Sequence, residues 1–210
     1  MKKGIQIFLG LVIVALIYVV ADLIHTPLKF EQQLKERNAE VIVKLKDIRA
    51  AERAFKSKYQ RFTSDFDSLI NFILTDSLEM ERKLVDEDDS VAMAKLKKMK
   101  KKNIEKYNIA VIDTIFNPRK LSKEQIQNLR YIPHTNNMEF ILEAGAVDKG
   151  NVMVPIIECR APYKFYLDTV EYRQNVINLI DDKVNNFGQY AGLKFGSMEG
   201  SNNEAGNWED

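Results

Sequence analysis

The chain has 210 residues, of which 31 are basic and 30 acidic, giving a formal net charge of +1 at neutral pH. That balance leaves no global field to draw it onto nucleic acid, so any effect of charge is local. A single cysteine, Cys159, excludes an internal disulfide and every cysteine-cluster metal site within one chain. The length fits one globular domain plus an anchor.

From Ile5 to Ile24 only Gln6 and Asp22 are clearly polar. At about 1.5 Å per residue a helix of this length crosses the roughly 30 Å hydrocarbon core of a bilayer. Residues 1–4 are expected as a short cytoplasmic tail and 5–25 as a transmembrane helix. The other reading is a cleaved signal peptide, with Lys2 and Lys3 as its basic start and Val19 and Ala21 before the cut. The apolar run is longer than such peptides need, and Leu23 and Ile24 continue past that point. Orientation is contested between Lys2 and Lys3 on one flank and Lys29, Lys35, Arg37 and Lys44 on the other. A short tail before the span and a long domain after it favour a signal anchor in the inner membrane, single-pass, with the domain in the periplasm.

Pro27 opens a new helical segment or kinks a continuous one. Residues 28–59 have a helical period: Leu34, Val41, Ile48 and Phe55 recur on one face, widened by Leu45 and Tyr59. These six form a candidate interaction stripe, either a coiled-coil seam or the face on which the stalk packs against its own domain. Arg37, Lys44, Ala51 and Lys58 are poor seam residues, which favours the latter. The soluble domain is expected over 60–195. It starts with a short helix to residue 75, where Thr63, Ser64 and Asp65 offer caps before Phe66, Leu69, Ile70, Phe72 and Ile73.

Residues 79–106 are highly charged, with acids over 86–89 and a lysine-rich run over 95–102. They read as a solvated helix or a mobile excursion. Lysine clusters can neutralise phosphates or anionic lipid, yet no aromatic residue interleaves these and acids lie alongside, so no nucleic-acid partner is expected. Strand periodicity then appears at 107–116, 138–147, 152–160 and 163–167, broken by Asn117-Pro118, Asp148-Lys149-Gly150 and Ala161-Pro162. Ser122 to Leu129 reads as a helical turn with a capping box at Ser122 and Gln125. A further helix is expected over 169–187 and a polar tail over 196–210. The fold class is α+β: an N-terminal transmembrane helix continuing into a long amphipathic helix, then a small antiparallel sheet with packed helices.

Chemistry-bearing residues are few. The histidines are His25, at the membrane boundary, and His134, in a loop; Cys159 lies in an apolar strand pattern where an inert thiol is the default. Glycine-rich phosphate loops and nucleophile-elbow motifs are lacking in the sequence. Asp181 and Asp182 are adjacent, so on a helix they diverge by about 100°. Catalytic, cofactor-binding and metal residues are assigned as none, and no cofactor is expected.

Lys2-Lys3-Gly4 before the apolar run, Pro27 within the helix, the stretch Ile48 to Phe55, and then Tyr59, Arg61-Phe62 and Asp67-Ser68-Leu69 together resemble type IV pilins and type II secretion pseudopilins. The likeness covers the N-terminal third. Pilins carry a glutamate five residues after the glycine, where this chain has Leu9. The layout equally resembles inner-membrane platform proteins of the same machines. Both resemblances imply a non-enzymatic structural or assembly component of the cell envelope, partnered by the lipid bilayer and by other envelope proteins or itself. The alternative is a membrane-tethered periplasmic enzyme or ligand-binding domain. The triplets Asp67-Ser68-Leu69, Asp76-Ser77-Leu78, Asp89-Ser90-Val91, Asp113-Thr114-Ile115 and Asp168-Thr169-Val170 are similar to the O-glycosylation sequon of Bacteroidota. That similarity implies glycan acceptors at Ser68, Ser77, Ser90, Thr114 and Thr169 and an exported domain.

Overall fold

In the computed structural model, which describes residues 2–86, 88–99 and 102–209, span and stalk form one helix, α1 (Lys2–Tyr59). Pro27 lies inside it and neither starts a second helix nor ends the first. Its ring removes the hydrogen bond to the carbonyl one turn back and crowds that carbonyl, and the helix continues through it. A 58-residue helix is roughly 87 Å long. Its N-terminal half is long and apolar enough to span a membrane and is not buried in the domain.

After α1 the chain turns at Gln60, which has a positive φ of 58°, into α2 (Phe66–Thr75). The Asp65 carboxylate caps α2 by accepting from the backbone N–H groups of Asp67 and Ser68. Next comes an arm. β1 (Ser77–Lys83) pairs antiparallel with β2 (Ile104–Ala110), and α3 (Ser90–Lys98) sits at its tip. The expected helix or mobile excursion over 79–106 is therefore a two-stranded ribbon, helical only at its end. Cross-strand charge pairs accompany the seven-pair backbone ladder: Lys106 lies 2.5 Å from Glu79 and 3.5 Å from Glu81, and Arg82 lies 2.6 Å from Glu105. Asn103 closes the tip by exchanging side-chain hydrogen bonds with the Val85 backbone, both at 2.9 Å.

The strand expected over 107–116 ends at Ala110 and gives way to α4 (Val111–Ile115), which buries Val111. α5 (Lys123–Gln127) has the capping box between Ser122 and Gln125 and runs into a 3₁₀ turn, Asn128–Arg130. β3 (Ile141–Asp148) and β4 (Met153–Pro162) form a hairpin whose two-residue turn puts Gly150 and Asn151 at φ 63° and 74°. Residues 163–167 are not a strand: α6 (Tyr163–Tyr166) follows Pro162 and buries both tyrosines. The helix expected over 169–187 begins later, as α7 (Arg173–Asp181), and ends in a π-helical turn, Asp182–Asn186. Asp168 holds the residues before it in a turn by accepting from the Val170 and Glu171 N–H groups at 2.9 Å.

A strand that periodicity did not reveal, β5 (Gly192–Gly196), completes a sheet in the order β3-β4-β5. At Gly196, φ is +77° and a Cβ would lie 1.9 Å from the Ile157 carbonyl oxygen, so only glycine lets β5 lie this close to β4. The residues after β5 are not a loose tail. Phe195 bridges to Gly206, and the chain returns to α1. The core lies between α1, α2 and the sheet. Val41, Leu45, Ile48 and Ala51 of α1 meet Leu69 and Ile73 of α2 and Cys159, Ala161 and Phe195 of the sheet, all fully buried.

Candidate functional site

The organising element is α1, and its second half explains why the domain stands where it does. Of the stripe residues, Val41, Leu45 and Ile48 have no exposed surface and Phe55 has 6%, with its ring edge-on to Phe72 at 5.2 Å. These four pack into the chain's own core. Leu34 is half-buried, and Tyr59 is exposed and donates to an Asp76 carboxylate oxygen at 2.7 Å.

Polar contacts hold α1 on its other sides. Lys44 donates to the carbonyls of Asn128 and Tyr131 at 2.8 and 2.6 Å, which flank the 3₁₀ turn, and the Asn128 carbonyl also accepts from the Tyr131 N–H at 3.3 Å. Burial holds its ammonium below the ordinary lysine range, with Asp47 opposing the shift. Asp47 itself pairs with Arg119, Arg37 donates to the Tyr166 carbonyl, and the Tyr166 hydroxyl donates to Asn38 at 2.7 Å. The C-terminal segment supplies a second clamp. Arg49 binds Glu209 through two hydrogen bonds of 2.7 and 3.0 Å and lies over the Trp208 ring. Arg53 and Lys56 reach Glu204 at 3.2 and 3.3 Å. Arg49, Arg53 and Lys56 are spaced for one helix face, so a basic ridge facing an acidic terminus was the available sign of this contact.

One residue inside the stripe is a carboxyl. Glu52 is 1% exposed; its Oε2 accepts from the Thr63 N–H at 3.1 Å, while Oε1 has no hydrogen-bond partner among the described residues. Burial pushes its pKa up to about 8, so the group is neutral at pH 7. Its spacing from Ile48 and Phe55 places it on the buried face, where a sequence reader expects no acid.

A cleft of about 530 Å³ opens beside the start of the domain-packed half of α1. Pro27, Phe30, Glu31 and Leu34 form one wall and Asn175, Asn178, Leu179, Asp181 and Asp182 the other. Asp181 and Asp182 accept hydrogen bonds from Asn185 and Asn186 one turn on. The remaining chemistry-bearing residues are separate. His134 Nε2 lies 3.0 Å from a Glu40 oxygen on the surface, whereas Cys159 is fully buried with its thiol pushed up, first by burial and then by Glu52. Among the described residues, no group of three or more His, Cys, Asp or Glu side chains is placed to hold a metal ion.

No protein-family model, curated protein or solved structure matches this chain. Its arrangement is therefore read from its own geometry.

The candidate glycan acceptors lie apart. Ser68, Thr114 and Thr169 are exposed, Ser77 at the foot of the arm is half-buried, and the side chain of Ser90 lies outside those described. Four of the five aspartates already have local work, Asp67 lying 3.0 Å from Arg130. Asp76 receives Lys58 and Tyr59, Asp89 caps α3, and Asp168 holds the turn before α7. Of the lysine-rich run, Lys100 and Lys101 lie outside the described residues, as does Glu87 of the acidic run.

Proposed function

We propose that the protein is a single-pass membrane-anchored scaffold that holds an α+β domain at a fixed distance from the bilayer and acts through protein contacts, without catalysis. The observation that supports this is the division of labour along α1. Residues 5–24 present an almost wholly apolar surface outside the domain core, and the stretch from Val41 to Phe55 is the spine on which the domain is built. A helix continuous through both halves transmits position and orientation, which a flexible linker would not. In this reading the anchor lies in an inner membrane with the domain on its outer side, as a pilin-like or platform-like component of a cell-envelope machine. The aspartate-hydroxyl triplets support that side, since Ser68, Thr114 and Thr169 are exposed residues.

Fractionation with alkaline extraction tests the anchor, and protease protection in spheroplasts tests the side. The full chain is expected in the extracted membrane pellet and its domain digestible from the periplasm. A chain that partitions to the soluble fraction, or a domain protected until lysis, overturns the reading.

A further inference from the structure

Between α6 and α7 the chain runs down α1 toward the apolar span. At its upper end the Tyr166 hydroxyl donates to Asn38 at 2.7 Å, and Arg37 donates to the Tyr166 carbonyl. At its lower end the Tyr172 ring lies 5.7 Å from the Phe30 ring, and both residues are buried. Asn38 and Phe30 are about 12 Å apart along the helix. Asp168 fixes a tight turn between these ends by accepting from the Val170 and Glu171 N–H groups at 2.9 Å. At its tip Val170 is 90% exposed, more than any other large apolar side chain among the described residues, those of the span included.

The height of this turn above the span follows from helix geometry. The Cα of Phe30 stands about 9 Å beyond that of Ile24, where the apolar run ends. Side chains on a helix lean toward its N-terminus, so the Phe30 ring and the Tyr172 ring against it sit closer to the span than that. A bilayer whose hydrocarbon core is filled by residues 5–24 has a headgroup layer of about 5–7 Å on that side. A spanning helix tilts by about 20° on average, which lowers a group about 10 Å to its near side by about 3 Å more. Val170 is two residues from Tyr172, at most about 7 Å along the chain, and so comes within reach of that layer. The charged residues of this end are Lys29 and Arg173 against Glu31, Asp168 and Glu171, so it has no basic excess to attract anionic lipid.

We propose that the turn over 168–172 rests in the headgroup layer of the bilayer that holds α1, with Val170 entering the apolar boundary as a wedge. The inference rests on the membrane-anchored reading and adds a second contact to it. Position names the occupant: α1 is continuous through span and stalk, and it carries this end of the domain at the height of the lipid surface. The near balance of charge makes the contact apolar and not electrostatic. Thr169 and Glu171 on either side of Val170 are polar, which keeps the rest of the turn at headgroup depth. Span and turn together fix the rotation of the domain about α1, which the span alone leaves free.

The test reconstitutes the full chain in phosphatidylcholine vesicles containing spin-labelled lipid, with an environment-sensitive fluorophore on one introduced cysteine. Val170→Cys is compared with Val14→Cys in the span and with Val152→Cys, which is 61% exposed in the turn where the Lys149 N–H donates to the Val152 carbonyl at 2.9 Å. Cys159 of β4 feels the charge of Glu52, and Tyr166 just beyond β4 bonds Asn38, so β4 approaches the span as it runs and Val152 lies at the far end of the domain. Native Cys159 is buried and stays unlabelled. Lipid labelled near the headgroup should quench Val170→Cys about threefold more strongly than Val152→Cys, equally with and without anionic lipid and at low and high salt. Lipid labelled deep in its chains should quench Val14→Cys. If it does not, the anchor and the turn contact fall together. With Val14→Cys quenched, equal quenching at Val170→Cys and Val152→Cys overturns the turn contact alone. Blue-shifted emission at Val170→Cys without quenching means that protein covers the turn, and quenching that requires anionic lipid means that charge holds it; either result overturns the proposal.

Discussion

The two halves of α1 share one backbone geometry and meet opposite surroundings. In the first half Ile5, Phe8, Leu16 and Leu23 are all more than half exposed to whatever surrounds the helix, whereas Val41, Leu45 and Ile48 in the second have no exposed surface. Both halves place aliphatic residues at helical spacing, but only the first holds a window of mean hydropathy 2.8. The second half intersperses lysines, arginines and acids with its apolar face, and Arg37, Lys44, Asp47, Arg49, Arg53 and Lys56 among them find a carbonyl or counter-ion on the domain. Between residues 5 and 24 of the first half, Gln6 and Asp22 are the clearly polar residues. A helix apolar on all sides asks for an apolar medium, and one apolar on a stripe asks for a partner surface.

The largest expected effect breaks this contrast at one position in each half. Ile48→Asp puts a charge in the core and removes a fully buried side chain, a loss of more than about 4 kcal/mol. Against a total stability of roughly 5–15 kcal/mol, the domain should lose its cooperative thermal transition by circular dichroism. Ile13→Asp should leave that transition within about 2 °C, because nothing of the domain touches Ile13. It should instead move protein out of the membrane fraction, since an aspartate at mid-helix costs about 3 kcal/mol to insert. A surviving transition in the first variant, or a shifted one in the second, would show that the halves are not divided as described.

That division was legible in the sequence because it rests on local period and composition. The α2 cap at Asp65, the box at Ser122 and Gln125, and the Lys149-to-Val152 turn were legible for the same reason. What stayed hidden depends on distant partners. β1 reads as charged and helical until Lys106 and Glu105 face it across the ribbon. β5 is only five residues long, and its Gly192 and Gly196 look like loop punctuation until β4 is beside them. The terminal segment is polar and glycine-rich, and only Arg49, Arg53 and Lys56 on the neighbouring helix give it a place. Of the stripe, the period identified the buried face. It did not show that Glu52 belonged to it.

Glu52 sharpens the comparison through pH. Its folded pKa of about 8 stands above the ordinary value of 4.5, so the folded state holds a proton that the unfolded state releases above about pH 4.5. The group therefore costs nothing below pH 4.5, costs progressively more as pH rises to 8, and costs a constant amount beyond. Glu52→Gln removes the titration while keeping an acceptor for the Thr63 N–H. Measured by urea unfolding, its advantage over the parent chain should be near zero at pH 4 and reach on the order of 3 kcal/mol at pH 8. A constant difference across that range would mean that Glu52 is not buried as a neutral acid.

The smallest effect concerns the clamp that the terminus places on the same helix. Arg49 holds the Glu209 carboxylate, first by side-chain hydrogen bonding and with help from the Gly206 N–H, so that its pKa falls from the ordinary 4.5 to about 2. A depressed carboxylate stabilises above its unfolded pKa, and that contribution is lost as pH falls from about 4.5 to 2. The Glu209 side chain is 38% exposed, so screening by water limits Arg49→Ala to about 0.5–1 kcal/mol at pH 7. The difference should shrink in 1 M salt and vanish near pH 2. Glu52 loses its penalty on acidification whereas Glu209 loses its benefit, so opposite pH slopes in the two variants distinguish the buried face of α1 from its clamped face. If Arg49→Ala cost as much at pH 2 as at pH 7, the contact with Trp208 and not the ion pair would hold the terminus in place.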